Sequence, residues 1–256
     1  MALPPPSQAG IRLNQSAQVR CGVCGTESRQ PVFRRQPPEQ APDLDLRPGE
    51  PERGTMARWL QQCPQCGYAA PDLAQVHPAV PGVVSAAPFR ALIADGTAPP
   101  LARRFLSWAH VLEETGGLHA AAEATLQAAW VADDLGRDDL ARQWRLDAVA
   151  LWRGGPAMDM EQRVRSLDAL RRAGAWEDAA ATAAAMAAAP EIGPAAGPVA
   201  QVVALETRLI AAYDDGRHTI ASALPPPSRR PHVSHGKTRR GLGGGAFGWL
   251  RRLFRR

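Results

Sequence analysis

The chain has 256 residues, enough for two modest domains and their linkers. Alanine supplies much of its 45% apolar content and aromatics only 5%, which suits helices packed through small side chains better than a sheet core rich in β-branched residues. The formal charge of +5 is uneven: no Asp or Glu follows Asp215, nine of the 30 basic residues lie beyond Pro227, and the body before them is acidic.

Residues 1–18 read as a flexible leader, with a short strand around Ile11-Arg12-Leu13 and no charged or apolar region of a signal peptide. No run reaches the roughly 18 apolar residues of a membrane span, so the chain is expected to be cytoplasmic. Residues 19–80 hold all four cysteines, in Cys21-Gly22-Val23-Cys24-Gly25 and Cys63-Pro64-Gln65-Cys66-Gly67. Between them, Pro37 to Asp43 and Arg47 to Pro51 are too rich in proline for a helix or a central strand. They predict an excursion anchored at both ends. Trp59 to Gln62 then approaches the second motif as a strand.

From about residue 81 to 222 the pattern is helical. Ser85 is placed to cap a short helix through Phe89, Leu92 and Ile93, ended by Asp95-Gly96. Pro99 and Pro100 open the next, which carries Leu101, Phe105, Trp108 and Leu112 up to Gly116-Gly117. Further helices are predicted over 118–135, 138–152, 159–173 and 176–189, the last stopping at Pro190. A seventh follows Pro198, with Val199, Val202, Val203, Leu209, Ile210 and Tyr213. Gly136 and Gly174, each at a helix–helix corner, are separated by 38 positions, near the ~34-residue period of tetratricopeptide repeats. An ordinary antiparallel bundle is the alternative.

Four thiolates suit a tetrahedral ion, and a CxxCG hairpin delivers two of them, its glycine taking the positive φ that closes the knuckle. Cys21, Cys24, Cys63 and Cys66 are therefore the expected ligands of a structural Zn²⁺. Iron is the competing ion, since rubredoxin-like knuckles use the same motif, and a dithiol redox pair is the third reading. In a reducing compartment, paired CxxC motifs favour metal over disulfides.

The stretches Asp43-Leu44-Asp45-Leu46-Arg47-Pro48 and Thr55-Met56-Ala57-Arg58-Trp59-Leu60-Gln61-Gln62-Cys63-Pro64-Gln65-Cys66-Gly67-Tyr68-Ala69-Ala70-Pro71-Asp72 resemble an uncharacterised bacterial family, domain of unknown function 2225. The likeness covers roughly residues 19–220. It implies a four-cysteine zinc ribbon joined to tetratricopeptide-like helices, and no established activity.

Asp43, Asp45 and Arg47 either line a partner surface or form a solvated loop closed by ion pairs. No catalytic residues are expected: His77, His110, His119, His218, His232 and His235 show neither HExxH spacing nor a triad pattern. Asp133-Asp134 and Asp138-Asp139 read as solvated residues at a helix corner. A basic linker, expected to be disordered over 223–245, leads to an amphipathic segment over 246–256. Phe247, Trp249, Leu250, Leu253 and Phe254 fall on one side of a helical wheel, and Arg251, Arg252, Arg255 and Arg256 on the other. An anionic membrane surface or an apolar partner groove would suit that segment; nucleic acid is the alternative.

The expected architecture is a small Cys₄ zinc ribbon of β-rich knuckles followed by an all-α tetratricopeptide-like domain. The function expected of it is that of an adaptor binding a protein partner through its helices, with its tail available for peripheral attachment to a membrane. A nucleic-acid-binding ribbon and an iron electron carrier are the alternatives.

Overall fold

Two short antiparallel pairs frame the cysteines in the computed structural model, which describes residues 16–35, 39–192 and 197–224. β1 (Ser16–Arg20) pairs with β2 (Glu27–Pro31), placing Arg20 opposite Glu27, and β3 (Gln61–Gln62) pairs with β4 (Ala69–Ala70). The strand expected at Ile11 and the whole basic tail lie outside the described residues.

The rest is mostly helical. α1 (Val80–Ser85) and α2 (Ala87–Ala94) are separated by extended Ala86, not capped by Ser85 as the sequence predicts. Pro88 in the first turn of α2 sets that start, because proline is tolerated only where its missing N–H is already unpaired. α3 (Pro100–Glu114), α4 (Leu118–Asp134) and α5 (Asp138–Gly154) form the most closely packed group. α4 lies between the other two and is buried nearly all round, so it lacks the one-sided pattern of a surface helix. Ala121, Ala122, Ala128 and Ala129 are fully covered there. α6 (Met160–Arg172) begins with a reciprocal Asp159–Gln162 capping box, and α7 (Trp176–Ala188), α8 (Pro198–Ala211) and the short α9 (Ile220–Ala223) are the last helices among the described residues.

The excursion between the knuckles is not solvated. Residues 42–49 are all buried, although they join no sheet of two or more strands. Leu44 and Leu46 enter the same core as Trp130, Leu167 and Ile220. The backbone is held by Leu44 N–H donating to His218 O and Ile220 N–H donating to Pro42 O, both near 3 Å. Asp43, Asp45 and Arg47 are thus interior residues rather than a charged surface loop. Alternating aliphatic and charged side chains let this strap fill the core while its charges meet partners from the helices.

Three helix corners repeat one hydrogen-bond pattern. Gly116, Gly136 and Gly174 have φ of 85°, 64° and 73°. At each, the glycine N–H reaches back three residues and the next N–H reaches back five, to Leu112, Ala132 and Leu170 respectively. These are Schellman closures, which satisfy the last carbonyls of α3, α4 and α6. A Cβ on Gly136 would meet no atom within 4 Å, so its requirement for glycine is conformational alone. Gly136→Ala should therefore lower unfolding free energy by about 1–2 kcal/mol. Gly82→Ala, inside α1 with equally open surroundings, should raise it by about 0.5–1 kcal/mol. Denaturant titration of the two variants checks the opposite signs.

Candidate metal centre

Each cysteine pair sits in a turn whose backbone closes on itself in the same way. Gly25 N–H donates to Cys21 O and Gly67 N–H to Cys63 O, at 2.8 and 3.1 Å. Cys21 N–H donates to Thr26 O and Cys63 N–H to Tyr68 O, at 2.9 and 2.8 Å. Gly25 and Gly67 have nearly identical φ, 75° and 76°. The matched CxxCG motifs thus build matched knuckles, with the glycines in the left-handed region that a side chain would strain.

The knuckles face one another. Cys24 Sγ lies 3.5 Å from Cys63 Sγ and Cys21 Sγ 3.8 Å from Cys66 Sγ, with all four sulfurs within 4.8 Å of one another. A tetrahedron with metal–sulfur bonds of about 2.3 Å has edges of about 3.8 Å. Disulfide sulfurs would lie at about 2.05 Å. The donor set therefore fits one metal ion with four protein ligands. Cys21 and Cys63 are buried, Cys66 is partly covered and Cys24 is exposed.

The thiols differ in acidity. A hydrogen bond with the Thr26 hydroxyl, 3.3 Å from Cys24 Sγ, holds Cys24 down to about 6. Burial pushes Cys66 and Cys21 up, although backbone N–H groups of Tyr68, Val23 and Cys24 stabilise their thiolates.

Glutamines that sequence reading passed over hold the two halves in register. Gln30, 5% exposed, donates from Nε2 to Gln62 O at 2.9 Å and accepts Gln62 N–H at 3.1 Å. Its amide thereby imitates a neighbouring strand beside the residue before Cys63. Gln61 accepts Leu73 N–H at 3.0 Å, and Leu73 O accepts Gly22 N–H at 2.9 Å. Only the adjacent pair Gln61-Gln62 before the second knuckle could have signalled this.

The ribbon is seated on the helices. Cys21, Cys63 and Tyr68 share a small core with Leu73, Phe89 and Val111. A Cβ on Gly67 would lie 2.9 Å from Ile93 Cγ1, so this glycine also permits close approach to α2.

The strap's charges are paired within the fold. Asp45, fully buried, accepts Trp130 Nε1–H at 2.6 Å and Arg47 N–H at 3.1 Å. Arg47 donates to Trp130 O at 3.2 Å and pairs with Asp134, while Arg53 bridges Asp43 and Asp134 at 3.3 and 3.1 Å. Asp133 pairs with Arg145 and Arg172, at 2.5 and 3.0 Å, rather than standing in solvent. Burial, reinforced by the charge of Asp45, pushes the Asp43 carboxyl up to about 6 against the pull of Arg217, Arg53 and Arg47.

His119 and His110 hold structural places, His119 Nε2 lying 3.1 Å from Pro156 O and His110 packing on Phe89. His77 Nδ1 takes Ala79 N–H, and His218 pairs with Asp214 at 2.9 Å. His232, His235 and the tail residues Phe247 to Arg256 lie outside the described residues.

Two outcomes follow from this geometry. If the four cysteines hold an ion, removing it with a chelator should lower the melting temperature of the helices as well as opening the ribbon, because metal-binding energy, about 10–16 kcal/mol in small zinc modules, is folding energy. Helical circular dichroism and limited proteolysis between residues 39 and 60, with and without chelator, measure both. For Asp43, the folded pKa exceeds the unfolded value of about 3.9. Its protonated form therefore favours the fold below about 4, and that contribution is lost as pH rises through about 6. Glu161, pushed up to about 7, and Glu206 also titrate upward, so the wild-type fall between about pH 4 and 7 should be reduced but not abolished in Asp43→Asn.

Compared with models of known families, with curated proteins and with solved structures, the chain finds no match.

Proposed function

We propose that this chain is a zinc-stapled adaptor, in which Cys21, Cys24, Cys63 and Cys66 hold Zn²⁺ and the helices present a surface to a protein partner. The observation that carries this reading is the four-sulfur cluster, whose shortest separations lie close to the edges of a zinc tetrahedron. An ion with four protein ligands has no position left for substrate or water, so its role is to hold shape. The likeness of residues 43–72 to domain of unknown function 2225 supports the same reading. So do the Schellman corners at Gly136 and Gly174, which favour stacked tetratricopeptide-like helix pairs. Among the described residues, no helix is long and apolar enough to cross a membrane. The segment 246–256, whose sequence alternates arginines with aromatic and aliphatic residues, would act by peripheral attachment to an anionic surface.

Metal analysis and vesicle flotation of the full chain test this proposal. Expected are one zinc per chain, no thiolate-to-iron absorption, and salt-sensitive binding to vesicles containing phosphatidylserine that disappears when residues 241–256 are deleted. A coloured protein containing iron overturns the zinc assignment in favour of an electron carrier. Undiminished vesicle binding after the deletion overturns the role of the tail, and steep salt dependence of RNA binding favours the nucleic-acid reading instead.

A further inference from the structure

The space that a helical adaptor would offer beside α4 is taken by the chain's own residues 42–49. A second concavity is open. It is a cleft of about 990 Å³ between the ribbon and the first three helices. Its floor is apolar, with Val84 and Phe89 buried and Ile93 beside them. One wall is β2 and the other the second knuckle, Gln62 to Gly67.

Charge gives the cleft its character. Arg29, Arg90 and Arg104 line it, and no Asp or Glu is among the lining residues. That bias is notable in a chain body that carries more acidic than basic side chains. Arg104 is anchored, donating to Ala57 O at 3.0 Å; Arg29 and Arg90 are exposed at the rim, Arg29 also donating from Nε to Ser16 Oγ at 3.2 Å.

The wall formed by β2 adds a backbone edge. Among the described residues, β2 pairs with β1 alone. Thr26 O receives Cys21 N–H, so its carbonyl points toward the β1 side. In an antiparallel pair, backbone groups alternate between partner and outer edge. Arg29 therefore turns its N–H and C=O outward, and Pro31 O at the same edge takes the side chain of Gln61. An unpaired edge of this kind is a template for an added strand.

We propose that this cleft docks an extended acidic peptide segment of a partner protein, lying along the outer edge of β2 with its carboxylates toward Arg29 and Arg90. The proposal rests on the adaptor reading and adds the surface and the chemistry of the partner. A peptide fits better than nucleic acid, because Phe89, the one aromatic side chain among the described residues lining the cleft, is fully buried and offers no stacking face to a base.

The test uses the full, metal-loaded chain and a fluorescein-labelled peptide of alternating glutamate and valine, read by anisotropy. Three further probes are its lysine-for-glutamate counterpart, a version N-methylated at alternate residues, and oligothymidylate. Binding of the acidic peptide alone is expected, with Arg29→Glu and Arg90→Glu each weakening it about fivefold. Both arginines are exposed, so the variants should keep the wild-type melting temperature and metal content. Absence of binding, equal binding of the lysine peptide, or no effect of either substitution overturns the proposal. Equal binding of the N-methylated peptide overturns the strand geometry, and tighter binding of oligothymidylate with the same arginine dependence overturns the peptide as occupant. Zinc content and vesicle binding are read separately, so failure here leaves the adaptor reading to its own test.

Discussion

The structure depends on a closure. Cys24 and Cys63 stand 39 positions apart in the chain, yet their sulfurs lie 3.5 Å from each other. For a loop of that length, the length-dependent part of the closure entropy is about 3 kcal/mol. An ion bound by four thiolates contributes several times as much, about 10–16 kcal/mol in small zinc modules. The ion can therefore offset the closure and still fold a ribbon whose own core is small. What lies between the cysteines is fixed at both ends, and this explains how a proline-rich stretch without a sheet to join can be threaded through the protein interior.

Once threaded, the strap is held by groups that could not be buried singly. Asp45 sits between Trp130 Nε1 and the Arg47 backbone, and Arg47 spans the end of α4 from Trp130 O to Asp134. A second network, Arg171 with Asp168 and Glu206, joins α6 to α8 at 2.5 and 2.7 Å. Buried ion pairs add little net stability over apolar side chains of the same shape, but removing one member strands the other in the interior. Such networks fix geometry more than they add energy. Leu46 shows the same priority: it holds φ of 63° while nearly fully buried, a conformation that packing on both sides must impose.

Legibility in the sequence followed the range of the interactions. The knuckles were readable because CxxCG encodes its own turn, and residues five apart complete it. The longer helices were readable from their apolar spacing and their glycine and proline ends, with Asp159 serving as a cap at the start of α6. The boundary between α1 and α2 was lost because Ser85 can cap a helix and can also end one, and the choice belongs to Pro88. The strap was misjudged for a different reason. Asp43, Asp45 and Arg47 carry the composition of a surface loop, and their partners Trp130, Asp134 and Arg217 are far away in the chain. No local pattern announces that two such segments will neutralise each other. Gln30 and Gln61 escaped notice likewise, since an amide that completes a backbone ladder looks like any polar side chain.

The same packing redistributes what each part of the surface can do. A helical layer binds by leaving a face uncovered, and here the strap covers the face around α4 and reaches residues 218–220. The face left open is the proposed docking cleft, at the junction where the ribbon meets α1, α2 and α3. That junction exists only because Gly67 lets the second knuckle approach Ile93, where any Cβ would collide. Its basic rim also depends on assembly: Arg29 comes from the first hairpin and Arg90 from α2, and their common cleft forms when the ribbon is seated on the helices. An ion held by the four cysteines would thus help to create a surface that neither half of the chain would carry alone.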